Sequence, residues 1–236
     1  MGAVLAAGVT HFPPLALPDA RMPDVFRWAL RDPHLPAEKR DPAALTELVK
    51  RELGDDDGMA AAAAHREDML RQFRRVREAL DEFSPDLVLI WGDDQYELFH
   101  EDCVPPFAVC AFDDLDTYLW QRPFYKGKPN AWGEPEDTPY GIKGAPRIGK
   151  QLVTELLGRS FDVAYSYQGL PDRPMPAAFA NTLRYLDWDG HAFPYPSIFF
   201  SINCYGRRLD KHKGGLAYLS DMPRDVSELD PPAPSP

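Results

Sequence analysis

The sequence has little cysteine, no surplus of positive charge and no apolar run long enough to cross a bilayer, and each shortage closes off a class of protein. Its three cysteines, Cys103, Cys110 and Cys204, show no C-x-x-C spacing, and an odd number cannot close into a disulfide framework. They are expected to be core thiols in a reducing, cytoplasmic setting. Twenty-six Lys and Arg against 37 Asp and Glu leave a net charge of −11, which repels polyanions and argues against nucleic acid or an anionic membrane as partner. No stretch reaches the roughly 20 apolar residues of a membrane-spanning helix. The sequence also has no P-loop, no G-x-S-x-G, no H-E-x-x-H and no G-x-G-x-x-G, so nucleotide-binding and serine-hydrolase chemistry fall away.

What is present suits a soluble protein acting on a small organic molecule. At 236 residues, 44% of them hydrophobic and 12% aromatic, the chain can bury a substantial core, and one domain is expected. Its 25 prolines predict ordered turns and long irregular connections and speak against a small helical bundle. The opening apolar run lacks a basic segment in front of it and leads straight into Thr10-His11, so residues 3–9 are expected to form a buried strand, not a signal peptide. Pro13-Pro14 stops that strand and leaves His11 just past its end.

Residues 18–54 scatter apolar positions among prolines and charges, which predicts two short helices. A longer helix follows Asp55-Asp56-Asp57-Gly58 and runs to about Phe83, with Met69, Phe73, Val76, Leu80 and Phe83 on one stripe. His65, four residues before Met69, is expected to face inward with that stripe. Ser84-Pro85 ends the helix and residues 86–91 predict a second buried strand. Further elements are expected as a helix over 145–158, a strand over 162–167, a helix over 178–186 and a strand over 197–203. Alternation of helix and strand at this spacing implies an α/β fold with a mostly parallel central sheet flanked by helices.

In open parallel sheets ligands bind beyond the carboxyl ends of strands, so the segments after the first two strands carry the chemistry and are expected to open into one crevice. The first offers His11, whose neutral imidazole suits iron or zinc; a histidine that merely caps a strand end has the same position. The second offers Asp93, Asp94 and Glu97 as hard oxygen ligands or a general base, though a solvated acidic turn has the same sequence. His34, His100, His191 and His212 lie in polar or proline-rich surroundings and are expected in loops.

Taken in order, these segments carry a resemblance. Gly8-Val9-Thr10-His11-Phe12-Pro13, Trp91-Gly92-Asp93-Asp94-Gln95-Tyr96-Glu97 and Val104-Pro105-Pro106-Phe107 resemble the class III extradiol ring-cleavage dioxygenases, the superfamily of the protocatechuate 4,5-dioxygenase catalytic subunit. Gly144-Ala145-Pro146, Phe161-Asp162-Val163-Ala164, Asn181-Thr182-Leu183, Phe193-Pro194-Tyr195-Pro196 and Asn203-Cys204-Tyr205-Gly206 continue it over nearly the whole chain. The resemblance implies a dioxygenase-like domain over 1–210, with a polar, proline-rich tail over 211–236. It implies a non-haem Fe(II) held by two histidines and a glutamate, with a catecholic substrate and O2 as the reactants.

Residue by residue, the resemblance makes His11 the first metal ligand, with Asp94 and Gln95 where a second histidine commonly stands. Phe12, Pro13 and Asn181 are the implied substrate contacts. Pro176-Ala177-Ala178-Phe179 has an alanine where relatives often carry an acid/base histidine. His65 and Tyr96 are the catalytic candidates. In relatives the glutamate ligand lies in a portion past the point where this sequence stops, so the expectation is a truncated sequence, a borrowed third ligand or none. Two other functions follow from these departures: a non-catalytic homologous subunit paired with an active one, and an oxygen-independent metal-dependent lyase or hydrolase. The assembly expected is a homo-oligomer or such a pair.

Overall fold

A computed structural model describes residues 2–33, 36–95, 97–100, 103, 105–169, 173–190 and 192–202. The chain forms two compact units, Met1–Pro85 with Asp116–Gly141 and Ala180–Phe193, and Asp86–Leu115 with Ile142–Phe179 and Pro194–Pro236. The tail expected over 211–236 lies outside the described residues, as do Tyr96, His34, His191, His212 and Cys204.

The second unit carries the central sheet, whose strands are β1 (Val88–Asp93), β2 (Phe107–Cys110), β5 (Ala164–Ser166) and β6 (Ser197–Ile202) in the order β1-β6-β2-β5. The β1–β6 and β2–β5 pairs are parallel and β2–β6 is antiparallel, so the sheet is mostly parallel, as the alternating pattern predicts. Strand β6, Ser-Ile-Phe-Phe-Ser-Ile, is buried along nearly all its length because it lies between two neighbours. Helix α5 (Pro146–Gly158) covers one face, where Val153 packs with Val109, Ile198 and Phe200. On the alternate side of β6, Phe199 meets Phe179 of α6 (Ala177–Leu186) with ring centroids 4.8 Å apart. Gly92 in β1 permits that approach: a Cβ there would lie 2.8 Å from the Phe179 ring and 2.9 Å from Ala178.

The first unit holds α1 (Asp24–Arg31), α2 (Ala37–Arg40), α3 (Glu47–Leu53) and α4 (Met59–Phe83). Strands β3 (Leu115–Thr117) and β4 (Tyr140–Ile142) form a two-stranded sheet, all but the end residues Leu115 and Ile142 in this unit. Helix α4 begins where Asp56 accepts the amide of Ala60 at 2.7 Å and ends at Ser84, which takes positive φ before Pro85. Its inward stripe is more polar than the apolar pattern predicts. Ala62, Arg66 and Phe73 are buried while Phe83 is exposed. Arg66 pays its desolvation by donating to Asp19 and to the carbonyls of Leu15 and Leu17. A second buried cation, Arg184, bonds Glu134 at 2.9 Å and the carbonyl of Asp187 at 3.0 Å beneath the ring of Trp132.

Three expectations are corrected. Residues 3–9 form no strand: they are exposed, Val4 by 89%, and no described strand pairs with them. An apolar run records a tendency to be buried, whereas a strand also needs a neighbouring edge for its backbone groups. His65 does not face inward, because Arg66 takes that position on α4 and the imidazole is turned out. Cys103 is exposed and only Cys110, of the two described thiols, is in the core.

Among the described residues no helix is long and apolar enough to cross a membrane.

Candidate functional site

His11 stands between the exposed apolar segment and a 3₁₀ turn, Pro13–Ala16, whose Pro14, Leu15 and Ala16 are buried. Three successive carbonyls at this point are each held by a buried side chain. Asn181 Nδ2 donates to the His11 carbonyl at 3.1 Å, Tyr185 Oη to Phe12 at 3.0 Å and Tyr125 Oη to Pro13 at 3.2 Å. Asn181 Nδ2 also donates to Tyr125 Oη at 2.8 Å, and its Oδ1 accepts from Arg122 at 3.4 Å.

Asn181 and Tyr185 sit one turn apart on α6 and so project from one helix face. Burial, and next the neighbouring Tyr125, push the Tyr185 phenol well above its ordinary pKa, so it remains a protonated donor at neutral pH. The result is a backbone held at three successive carbonyls beside the half-buried His11, a residue type that in general ligates metals.

Of the implied substrate contacts, Phe12 is 38% exposed and Pro13 half-buried, both beside His11 in sequence. Asn181 is 1% exposed, and its amide is committed to protein groups. Sequence reasoning missed Tyr125, Tyr185 and Arg122. The signal available for Tyr185 was its four-residue spacing from Asn181. His65 stands beside Glu52 of α3, 3.5 Å from its carboxylate.

The loop after β1 belongs to the second unit. Asp94 is buried, and its Oδ1 accepts the amides of Glu97 at 2.8 Å and Leu98 at 3.1 Å while Oδ2 accepts that of Phe99 at 2.8 Å. Three of a carboxylate's roughly four lone-pair positions are therefore filled by backbone donors. Burial, and then the charge of Asp94, push the Cys110 thiol far above its usual value, which leaves it an unreactive core group. Gln95 is exposed and donates its amide to Asp93 at 2.6 Å. Glu97 accepts the Ala177 amide at 2.7 Å.

These placements test the implied Fe(II). It needs three ligands with lone pairs directed at one point. Among the described residues no group of three His, Cys, Asp or Glu is placed to hold a metal ion. His11 suits a metal; Asp94, filled by amides, and Gln95, turned to Asp93, do not. The described residues thus do not make up the ligand set that the resemblance implies.

Compared with known proteins, the chain matches no family model and no curated protein.

Proposed function

We propose that this chain is a class III extradiol dioxygenase-like protein of the cytoplasm, acting with Fe(II) and O2 on a catecholic aromatic. The observation that carries this reading is the order of motifs along the sequence, from Thr10-His11-Phe12-Pro13 through Gly92-Asp93-Asp94-Gln95 to Phe193-Pro194-Tyr195-Pro196. The mostly parallel α/β sheet agrees with it, and so does the clamped backbone at His11. In this reading His11 supplies an imidazole, Phe12 and Pro13 border it, and Asn181, Tyr125 and Tyr185 keep it in place. Iron binding by this chain would need ligands besides His11, since Asp94 and Gln95 are engaged by protein groups. The test is anaerobic loading with Fe(II) followed by oxygen uptake with a panel of catechols. Turnover supports the reading; absence of both iron uptake and turnover rejects it.

A second reading, a non-catalytic homologous subunit that pairs with an active one, is favoured by the committed carboxylate of Asp94 and by Ala177, whose methyl group moves no proton. Native mass analysis of the purified chain separates the two. A strictly homomeric protein that retains iron argues against the pairing reading.

A further inference from the structure

Asp94 and Glu97 stand where the resemblance and the acidic sequence both suggest a metal or acid–base centre, and their hydrogen bonds point elsewhere. We infer that the two acids form a structural latch that ties the loop after β1 to the first turn of α6, and that neither is a metal ligand or a proton-transfer group. The inference rests on these bonds alone and stands whether or not the chain holds iron.

The latch has two stages. Asp94 folds the loop by gathering the amides of Glu97, Leu98 and Phe99 around its carboxylate, a concave arrangement that suits an anion. With the loop in that shape, Glu97 Oε2 reaches the amide of Ala177 at 2.7 Å. Ala177 opens α6, so this amide is one of the four that a helix cannot satisfy internally, and a carboxylate there also meets the positive end of the helix dipole. A third tie runs the same way: Arg173 Nη1 donates to the Leu98 carbonyl at 3.2 Å. The close seat of Ala178 and Phe179 on Gly92 completes the join from the sheet side. An acid used as a hydrogen-bond acceptor and an acid used as a ligand carry the same sequence signature; only the donors around them tell them apart.

Conservative substitutions in the full chain separate the two roles, because glutamine keeps an acceptor oxygen but is a poor ligand. Amide exchange is followed by mass spectrometry over residues 97–99 and 177–179, and uptake of Fe(II) alone is measured anaerobically. The latch predicts that Glu97→Ala speeds exchange at 177–179 by about tenfold, the effect of losing one part-buried, charge-assisted hydrogen bond, while Glu97→Gln stays within about twofold of the parent. It predicts that Asp94→Asn, which turns an amino group toward at least one backbone N–H, speeds exchange at 97–99 by at least about tenfold.

Unchanged exchange in Glu97→Ala overturns the inference, and so does a Glu97→Gln protein that loses iron uptake with its exchange intact. If Asp94→Asn does not fold, the Glu97 pair decides alone. A parent chain that takes up no iron counts against the proposed function and leaves the exchange comparison in force.

Discussion

The hydroxyl of Tyr185 and the amide of Asn181 hold the backbone at His11 and Phe12 through part-buried hydrogen bonds, and removing either leaves a carbonyl without that donor. Asn181→Ala also removes its buried bonds with Tyr125 and Arg122, and an unmet buried polar group costs about 1–3 kcal/mol, so it is expected to lower unfolding free energy by that order in urea; Tyr185→Phe, which loses one part-buried bond and keeps the ring, is expected to cost about 1 kcal/mol. Gly92 is the complementary case. An added Cβ meets Ala178 and the Phe179 ring below 3 Å, so Gly92→Ala is expected to cost about 1–3 kcal/mol by overpacking, measurable as a lower urea midpoint at unchanged slope.

The residue roles were only partly legible in sequence. His11 stood out because an imidazole beside Pro13-Pro14 is a rigid donor. Asp94 looked like a ligand because sequence does not say which groups fill a carboxylate's lone pairs. Asn181 was read as a substrate contact, and sequence does not tell that it is 1% exposed with its amide bonded to the His11 carbonyl and Tyr125.

Within the first unit, α4 is tied by charge to the residue that follows α6. Asp187, at the end of α6, has a side chain only 6% exposed and accepts from Arg77 of α4 at 2.8 Å and from Tyr140 at 3.3 Å. Removing one partner of such a buried pair strands the other. Asp187→Ala is expected to destabilise by on the order of 3 kcal/mol, at the low end of the range because Arg77 keeps Asp81 and some water.

The neighbouring Arg74–Asp189 pair gives the contrast. The hydrogen bond and charge of Arg74 hold the Asp189 carboxyl below its ordinary value, so its contribution is present above about pH 4 and is lost as pH falls through the lowered value. Both side chains are more than half exposed, which limits the contribution to about 1 kcal/mol or less. The gap in stability between the parent and Asp189→Asn should therefore shrink on acidification and in high salt, as followed by thermal melts. A gap that widens toward low pH contradicts the assignment.

Long periodic elements such as α4 and α5 announced themselves, and β1 and β6 lay within two residues of the expected places. Strand β2 did not, since Phe-Ala-Val-Cys is a four-residue run between proline and a loop, too short for periodicity to distinguish strand from helix. Nor did β3 and β4, with three residues each. The stripe on α4 misled at His65 because a hydropathy pattern ranks arginine as a surface residue. Arg66 is inside nonetheless, held by carbonyls far away in sequence.

At the scale of the whole molecule, the α/β class followed from alternation and composition, while the two-unit division and the antiparallel β2–β6 pair did not, because both depend on contacts between segments distant in sequence. The function rests on how the whole string of motifs is used. One measurement bears on it most directly: oxygen consumption by the anaerobically Fe(II)-loaded full chain with a panel of catechols, run beside His11→Ala. The account predicts oxygen uptake and a ring-cleavage chromophore from the parent with at least one catechol, and loss of both by at least about 100-fold in His11→Ala, in line with removing an interaction needed in the transition state. A parent chain that takes up iron yet consumes no oxygen with any catechol, or a His11→Ala variant as active as the parent, would contradict it.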